Sequence, residues 1–382
     1  MRGSERKQVV VIGAGIVGAS LAYHLAGKGA DVTVIEANGI ASGVTGTSFA
    51  WINTTPKAAD PIGLLRSQAI AEYRRLEAEV SGLEMLWTGA LSYASETLGR
   101  HAPGEGQSAQ LVTRSQIRDL EPCLRNPPDQ AFHAPEQGAL DAVAATHALI
   151  AAAQAHGATV LTGIKVLGFS TTEGRVTRVE TTAGWMGADI VVCAAGIGTA
   201  ALAQMLGAAL PIGASPAIFI RYEARPKVVR SILSGPEFEV RQAADGALLA
   251  AEDYLDDSDE NAPDALAVRV AEAIERHLEG VGSLKPDVAC VGLRPIAADG
   301  LPVVGFLPGH TGFYVCAMHP GVALAAVVGR LASEEILGGG ESEALLPCRP
   351  RRFLHTMTPL HVPKSTRMPS AQRNAPGTAG VD

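Results

Sequence analysis

The stretch QVVVIGAGIVGASLAYHLAGKGADVTVIE, from Gln8 to Glu36, decides the fold of this chain. Its apolar, β-branched start (8–12) predicts a buried strand, and residues 16–28 have the apolar spacing of a helix. The apolar run from Asp31 to Glu36 predicts a second strand. A strand, a helix and a strand in this order form a β-α-β unit. We therefore expect an α/β fold with a parallel central sheet.

Three glycines form the pattern Gly13-x-Gly15-x-x-Gly18 where the first strand leads into the helix. The first permits a tight turn, the second lets the backbone approach a pyrophosphate, and the third lets the helix pack on the strand. Glu36 ends the second strand, where a carboxylate accepts hydrogen bonds from ribose hydroxyls and repels a 2′-phosphate. The motif predicts a Rossmann-like dinucleotide site, with a purely structural glycine turn as the alternative. The residues expected to contact the dinucleotide here are Gly13, Gly15, Ile16, Val17, Gly18, Glu36 and Ala37.

A segment rich in glycine, serine and threonine follows, from Gly39 to Asn53. An NAD enzyme would normally proceed to another β-α unit, whereas this segment suits the path of a long, polar, extended ligand. The segment therefore favours FAD over NAD, with an ordinary loop as the alternative for each residue. The residues expected along the ribityl chain and the flavin edge are Ser42, Gly43, Gly46, Thr47 and Ser48.

Composition and charge argue against several classes of partner. The net charge of −8, without a basic patch, argues against nucleic acid and acidic membranes. Five cysteines far apart in the sequence, with no C-x-x-C pair, argue against a disulfide framework or a zinc site, and we expect no metal. The first apolar run is too short for a signal peptide, and no apolar stretch approaches the ~18 residues of a membrane span. We therefore expect a cytoplasmic protein.

Patterns typical of a nucleotide-binding α/β domain open and close the chain, with a more antiparallel pattern between them. This order predicts a discontinuous cofactor domain with an inserted α+β substrate domain that carries an antiparallel sheet. The cofactor domain is expected to comprise residues 1–83, 139–212 and 289–354, the substrate domain residues 84–138 and 213–288, and a disordered tail residues 355–382.

Arg294 is the one charged residue among the first eleven of the stretch VACVGLRPIAADGLPVVG, from Val288 to Gly305. Burying an unpaired charge costs several kcal/mol, so an arginine in a buried strand requires an anion. The anion is either a structural acid of the chain or the carboxylate of a bound substrate. A planar guanidinium holds such a carboxylate through two parallel hydrogen bonds.

From about residue 7 to residue 353, the sequence resembles the family of FAD-dependent D-amino-acid oxidases, glycine oxidases and sarcosine oxidases. Four segments carry the resemblance in order: GAGIVGASLAYHLA with Glu36; ASGVTGTSFAWIN; DIVVCAAG; and GLRPIAADGLPVVGFLP followed by GFYVCAMHPGVALAAVVGRLASEEILGG. The resemblance implies an antiparallel substrate-domain sheet over the flavin. It also implies oxidation of a carbon–nitrogen bond by hydride transfer to flavin N5, in a small D-amino, N-methyl or cyclic imino acid.

The resemblance also implies roles for individual residues. Arg294 would clamp the substrate carboxylate, His319 would lie near the substrate, and Tyr254 would cap the pocket. The N–H groups of Gly321 and Val322, at the start of a helix, would face the flavin N1–C2=O edge and favour the reduced anion. Arg294 and His319 would border the flavin as well. The other implied neighbours are Val166 at the adenine, Ala195 and Gly196 at the dinucleotide, and Tyr222 and Arg241 on strands over the flavin.

Two departures from the family leave alternatives open. The sarcosine-oxidising relatives use a lysine in the substrate-domain sheet for the reaction with oxygen, and none occurs between Glu237 and Asp253, so dehydrogenase chemistry is open. Cys290 does not match the position of covalent attachment, so we expect non-covalent FAD. The alternative functions are a flavin-binding subunit or sensor that acts through a partner, and an NAD-dependent dehydrogenase. The expected partners are a small amino-acid-like substrate and, in some of these interpretations, a second subunit or a separate electron acceptor.

Overall fold

The computed structural model describes residues 6–53, 60–93 and 109–354, so the tail predicted at 355–382 lies outside the described residues. The α-helices in these ranges are α1 (Ile16–Gly27), α2 (Gly63–Glu79), α3 (Arg114–Leu120), α4 (Ala142–Ala155), α5 (Thr199–Gln204), α6 (Pro263–His277) and α7 (Gly321–Gly338). The strands are β1 (Gln8–Ile12), β2 (Asp31–Ile35), β3 (Trp51–Ile52), β4 (Met85–Leu86), β5 (Ala90–Ser92), β6 (Gln110–Thr113), β7 (Gln130–Ala134), β8 (Gly138–Leu140), β9 (Thr159–Leu161), β10 (Val166–Thr172), β11 (Arg175–Thr181), β12 (Gly184–Gly187), β13 (Ile190–Cys193), β14 (Ile212–Ala224), β15 (Ile232–Ser234), β16 (Glu239–Gln242), β17 (Ala247–Asp253), β18 (Pro286–Ala297), β19 (Val303–Phe306) and β20 (Phe313–Ala317).

The first sheet has six strands in the order β19-β20-β13-β1-β2-β9. All neighbours in this sheet are parallel except β19, which pairs with β20 in the antiparallel sense. Helices α1, α4 and α7 cover one face, and the three-stranded sheet β10-β11-β12 covers the other through Val176 and Val179. Because both faces are covered, the central strands β1 and β13 are apolar almost throughout.

The second sheet has eight strands in the order β18-β14-β17-β16-β15-β5-β7-β6. Its pairs are antiparallel except β15 with β5. Along β14, side chains alternate between the faces, and Ile218, Ile220 and Tyr222 are buried in the core that helix α6 covers. The Tyr222 hydroxyl donates a hydrogen bond to the Ala267 carbonyl of α6 at 2.8 Å. The other face of this sheet is directed towards the first sheet.

The predicted α/β class, with a parallel central sheet and a second, antiparallel sheet, is confirmed. The chain enters the second sheet at β5 to β7 and again at β14 to β18, and it returns each time to the first sheet. A further small sheet, β3-β8-β4, lies at the first of these crossings. The exact domain ranges stay a prediction.

The five cysteines are all free thiols, and three of them are buried. Within the described ranges, no group of histidine, cysteine and acidic side chains is arranged to hold a metal ion. In the same ranges, no helix has the length and apolar character needed to cross a bilayer.

Candidate functional site

A cavity of about 990 Å³ lies between the first and second sheets, at the carboxyl ends of β1, β2 and β13. In open α/β sheets, ligands bind outside these strand ends. The glycine loop after β1 and the segment 42–53 form one wall, and β14, β16, β17 and β18 form the opposite wall, called the roof below. The start of α7 closes one end. The volume lies near the upper limit of the ~300–1,000 Å³ range of small-molecule sites.

The glycine loop packs tightly against the residues after β13. Gly13 has φ +104°, and a Cβ there would lie 2.5 Å from the carbonyl oxygen of Ala194. A Cβ at Gly18 would lie 1.9 Å from the carbonyl oxygen of Gly13, so glycine is required where α1 crosses the loop. Gly15 caps α1 without a side-chain hydrogen bond, and the first turn of α1 lines the cavity. The positive end of the helix dipole is therefore available to an anion such as a phosphate.

Glu36 is held at the end of β2 by two backbone N–H groups. Its Oε2 accepts a hydrogen bond from the Ala14 N–H at 2.8 Å, and its Oε1 accepts one from the Asn38 N–H at 2.9 Å. Each carboxylate oxygen has a second lone pair, and the residue lines the cavity. The structure thus provides a fixed acceptor at the cavity wall, which is what ribose hydroxyls require.

The segment after β2 contacts the start of α1 through a short 3-10 turn, Val44–Thr47. Thr45 Oγ1 accepts a hydrogen bond from the Ile16 N–H at 3.2 Å, a contact that the sequence pattern did not single out. Gly46 lies inside the turn and donates its N–H to the Gly43 carbonyl at 2.9 Å, so it is not part of the cavity wall. The other residues expected in this segment line the cavity: Ser42, Gly43, Thr47 and Ser48.

Arg294 extends along the roof from the edge strand β18. Its Nη2 donates hydrogen bonds to the Pro216 carbonyl at 3.0 Å and to Ser215 Oγ at 3.2 Å. Its Nε is buried and has no hydrogen-bond partner among the described residues. The Asp253 carboxylate lies 4.0 Å from Nη2, but that side chain is 86% exposed, and such ion pairs stabilise weakly. The guanidinium therefore has N–H groups at the cavity that remain available to donate hydrogen bonds to a ligand.

His319 and the start of α7 form the end of the cavity near Arg294. Burial, together with the positive charges of Arg294 and Arg66, lowers the pKa of His319 to about 4, so its ring is neutral at pH 7. Gly321 and Val322 begin α7 and line the cavity. The Tyr73 hydroxyl donates a hydrogen bond to the Val322 carbonyl and fixes the first turn. The positive end of this helix dipole is directed at the same end of the cavity.

Glu239 of β16 is a cavity residue that the sequence pattern did not reveal. A glutamate in an alternating strand ordinarily faces water, whereas Glu239 lines the roof of the cavity near Ala251. Burial, followed by the negative charge of Glu252, raises its pKa to about 7. Glu239 can be recognised as a cavity residue only from the tertiary structure, in which two sheets pack around the cavity.

Arg241, two residues further along β16, is 4% exposed and joins the second sheet to the segments beneath it. Its Nε donates a hydrogen bond to the Phe49 carbonyl at 2.7 Å, and its Nη2 donates one to the Leu140 carbonyl at 3.0 Å. Burial lowers the pKa of Arg241 to about 10, which leaves the side chain positive at neutral pH. Its position beside the cavity wall follows from these two contacts.

Tyr254 is not brought to the other candidate residues. It lies in a separate depression of about 380 Å³ beside the acidic loop, and its hydroxyl donates a hydrogen bond to Asp257. The depression shares only the wall residue Val291 with the large cavity. Tyr222 points away from the cavity towards α6. Of the other residues expected at the dinucleotide, Gly18 does not line the cavity, whereas these four do: Ala37, Val166, Ala195 and Gly196.

Comparison with known proteins gives a consistent result along most of the chain. A family model for FAD dependent oxidoreductases (DAO) matches residues 8–335. An opine oxidase subunit of Agrobacterium tumefaciens (strain Ach5) is 23% identical over 367 residues, which cover 90% of this chain and 97% of that protein. Glycine oxidase of Geobacillus kaustophilus (strain HTA426) is 24% identical over 360 residues, covering 87% and 93%. The crystal structure of L-proline dehydrogenase from P. horikoshii has the same fold, with a TM-score of 0.81 at 22% identity over 92% of this chain and 98% of that one.

Proposed function

Because this chain belongs to the family of FAD-dependent oxidoreductases, it uses FAD, and we propose that it oxidises the carbon–nitrogen bond of a small amino acid. The substrate would be a D-amino, N-methyl or cyclic imino acid. FAD dependence sets aside the alternative of an NAD-dependent dehydrogenase. The main support for this substrate class is Arg294, which lines the cavity. Its buried Nε has no hydrogen-bond partner among the described residues. A carboxylate suits this donor set, because a guanidinium binds it through two parallel hydrogen bonds.

The residues around the cavity fit FAD. The Glu36 carboxylate suits the adenosine ribose, and the first turn of α1 after the tight Gly13 turn suits the pyrophosphate. The hydroxyl-bearing residues Thr47 and Ser48 line the wall between these groups and the roof. Bound FAD supplies the acceptor for a hydride that leaves the carbon next to the substrate amine.

The protein's own residues would position the reactants and stabilise charge. Arg294 would hold the substrate carboxylate and so orient the reacting carbon, which lowers the entropic part of the barrier. His319 is neutral at pH 7 and therefore adds a hydrogen-bonding group without adding a charge. The positive dipole end of α7 would stabilise negative charge that develops at this end of the cavity. If the substrate amine binds uncharged, no strong base is required.

Anaerobic flavin reduction tests the proposal. The purified protein is expected to be yellow and to lose its visible flavin absorbance when a substrate is added without oxygen. A panel of D-amino acids, glycine, sarcosine and prolines covers the proposed class. Retention of oxidised flavin with every member would contradict the proposal. A repeat in air then separates an oxidase, which reoxidises rapidly, from a dehydrogenase that needs another acceptor.

A second candidate function is a flavin-binding subunit that acts through a partner. The similarity to the opine oxidase subunit favours it, because that name denotes one subunit of an assembly. In this case the isolated chain would bind FAD, no member of the panel would reduce it, and a second chain would co-purify in a fixed ratio. Full turnover by the isolated chain would contradict this candidate.

A further inference from the structure

We propose that Glu239 makes the cavity selective for amino acids whose side chain carries a positive charge. The inference rests on the proposed function, because it concerns the substrate of the same cavity. It assigns the substrate a second ionic contact, between a cationic side-chain group and the Glu239 carboxylate, in addition to the contact of its carboxylate with Arg294. Glu239 is thus a specificity-determining residue.

Register in the second sheet places Glu239 and Arg294 on the same face. Val240 pairs with Ala250, so the preceding residue Glu239 lies opposite Ala251, and both line the cavity. Arg294 pairs with Ser215 on β14, and cross-strand partners share a face. Arg241, two residues after Glu239, contacts the Phe49 carbonyl, which shows that this face is directed at the segment 42–53 on the opposite wall of the cavity.

The two charges lie within reach of one extended amino acid. Arg294 Nη2 is hydrogen-bonded to β14, the strand between β18 and β17, and lies 4.0 Å from Oδ1 of Asp253 at the end of β17. Asp253 follows Ala251 by two residues, and Ala251 lies opposite Glu239 on the next strand. With strands about 4.8 Å apart and about 3.3 Å per residue, the backbones of Asp253 and Glu239 are about 8 Å apart. A carboxylate at Arg294 therefore leaves room for a side chain of several atoms that ends at Glu239.

The Glu239 carboxyl has no cationic partner in the described part of the chain. Its neighbours are the Ser234 hydroxyl, which stabilises its charge, and the acids Glu252 and Asp253, which oppose it. The nearby guanidinium of Arg241 is committed to the carbonyls of Phe49 and Leu140. A buried carboxylate with acidic neighbours is costly to ionise, and an incoming ammonium or guanidinium group would offset that cost.

Two isosteric substrate pairs test the proposal on the FAD-loaded protein. Ornithine with norleucine, and lysine with 2-aminoheptanoate, have side chains of equal size that end in an ammonium or a methyl group, and each is used as both enantiomers. We expect the anaerobic rate of flavin reduction at limiting substrate to be at least 10-fold higher for the cationic member. In Glu239→Gln this ratio should fall to within about 3-fold of unity.

Glu252→Gln is the matched control. It removes the same charge from the same sheet, but Glu252 does not line the cavity, so the preference for ornithine and lysine should persist. FAD content and the thermal midpoint of each variant verify folding. A wild-type preference for the methyl-ended member, or an unchanged ratio in Glu239→Gln, would overturn the assignment.

Binding of compounds without an α-amine provides a readout that is independent of turnover. We expect 5-aminopentanoate to perturb the oxidised flavin spectrum of the wild-type protein at concentrations at least 10-fold lower than hexanoate does, and equal affinities would contradict the role of Glu239. Flavin reduction by neutral amino acids alone supports the proposed function and contradicts this inference. If no amino acid reduces the flavin, the proposed function fails. The relative affinities of 5-aminopentanoate and hexanoate, measured from the flavin spectrum, still test the role of Glu239.

Discussion

The guanidinium of Arg294 shows how one residue connects the chain to its substrate class. Two of its contacts are to neutral groups of β14, and its nearest acid, Asp253, faces water. The structure places Arg294 on a partly exposed edge strand, not in the buried strand that the sequence suggested, and its side chain is only partly buried. Its charge is not neutralised by a structural acid, which was one of the two interpretations that the sequence allowed. The carboxylate of a bound substrate is the interpretation that these contacts favour.

Substitutions of Arg294 should affect substrate use and leave cofactor binding intact. We expect Arg294→Ala to raise the activation free energy calculated from kcat/KM by about 3 kcal/mol or more, as when one partner of a buried charge pair is removed. Arg294→Lys should recover only part of this loss, because an ammonium keeps the charge but cannot make two parallel hydrogen bonds. The measurements are steady-state kinetics and the FAD content of each purified variant. Unchanged kinetics in both variants would contradict the carboxylate contact.

At the residue scale, the sequence predicts the position of a residue best where the backbone dictates the residue type. Gly13 and Gly18 could be placed because no side chain fits at either position, and Glu36 because it ends a strand beside the loop. The positions of Thr45 and Glu239 at the site could not be predicted from the sequence. The direction of a hydroxyl or an acid in a polar segment depends on tertiary packing, which local sequence does not determine. The same reason explains Tyr254, whose hydroxyl is directed at the acidic loop rather than at the cavity.

At the scale of elements, the contact between α1 and α7 holds the glycine loop in place. Ser20 Oγ of α1 donates a hydrogen bond to the Ala325 carbonyl of α7 at 2.8 Å. His24, one turn later, is buried at the same contact and its Nε2 has no partner among the described residues. Burial, followed by the charge of Arg75, lowers the pKa of this imidazole to about 3. The contact is thus built around a neutral histidine.

His24 should make the folded state sensitive to acid. In the unfolded chain its pKa is near 6.5, so below that pH the unfolded state binds a proton that the folded state excludes, and stability falls until the pH approaches about 3. Between pH 7.5 and pH 5 the loss from this group amounts to about 2 kcal/mol. We expect His24→Leu to reduce the difference between the unfolding free energies at these two pH values by that amount, measured by urea denaturation. An equal difference in both proteins would contradict the assignment.

Element boundaries follow the sequence closely where the apolar pattern is strong. The helix predicted over 16–28 is observed as α1, Ile16–Gly27, and the strand predicted over 31–36 is observed as β2, Asp31–Ile35. Both lie in the first sheet or pack on it, where burial on both faces leaves an unambiguous apolar run. The roof strands are buried on one face and line a cavity on the other, so their pattern indicates strands but not what each side chain meets.

At the scale of the whole molecule, Arg241 links the second sheet to the rest of the protein. Its two hydrogen bonds end on carbonyls at Phe49, before β3, and at Leu140, the end of β8. One side chain next to the site therefore connects the roof of the cavity to the segment 42–53 in the opposite wall. The division into domains at the predicted residue ranges stays a prediction, and the two hydrogen bonds of Arg241 would cross between the predicted substrate and cofactor domains.

Removal of Arg241 should therefore destabilise the protein and weaken cofactor binding together. Arg241→Met keeps most of the volume but leaves two buried carbonyls without donors, and we expect a loss of about 2–4 kcal/mol in unfolding free energy. Arg221→Met is the control, because Arg221 pairs with the exposed acids Asp245 and Asp287 and such pairs contribute about 1 kcal/mol or less. Chemical denaturation and FAD titration are the measurements. Similar losses in the two variants would contradict the bridging role.

The order of strands in the first sheet has a consequence for how the chain is made. The central strand β1 lies between β2, its neighbour in sequence, and β13, which begins at Ile190, while β20 ends at Ala317. Pairing over such separations is slow, because a long loop must close before any contact forms. During synthesis, the glycine loop therefore emerges long before the strands that complete its sheet. The growing chain therefore has no complete cofactor cavity until residues 316–323, which line one end of it, have been added.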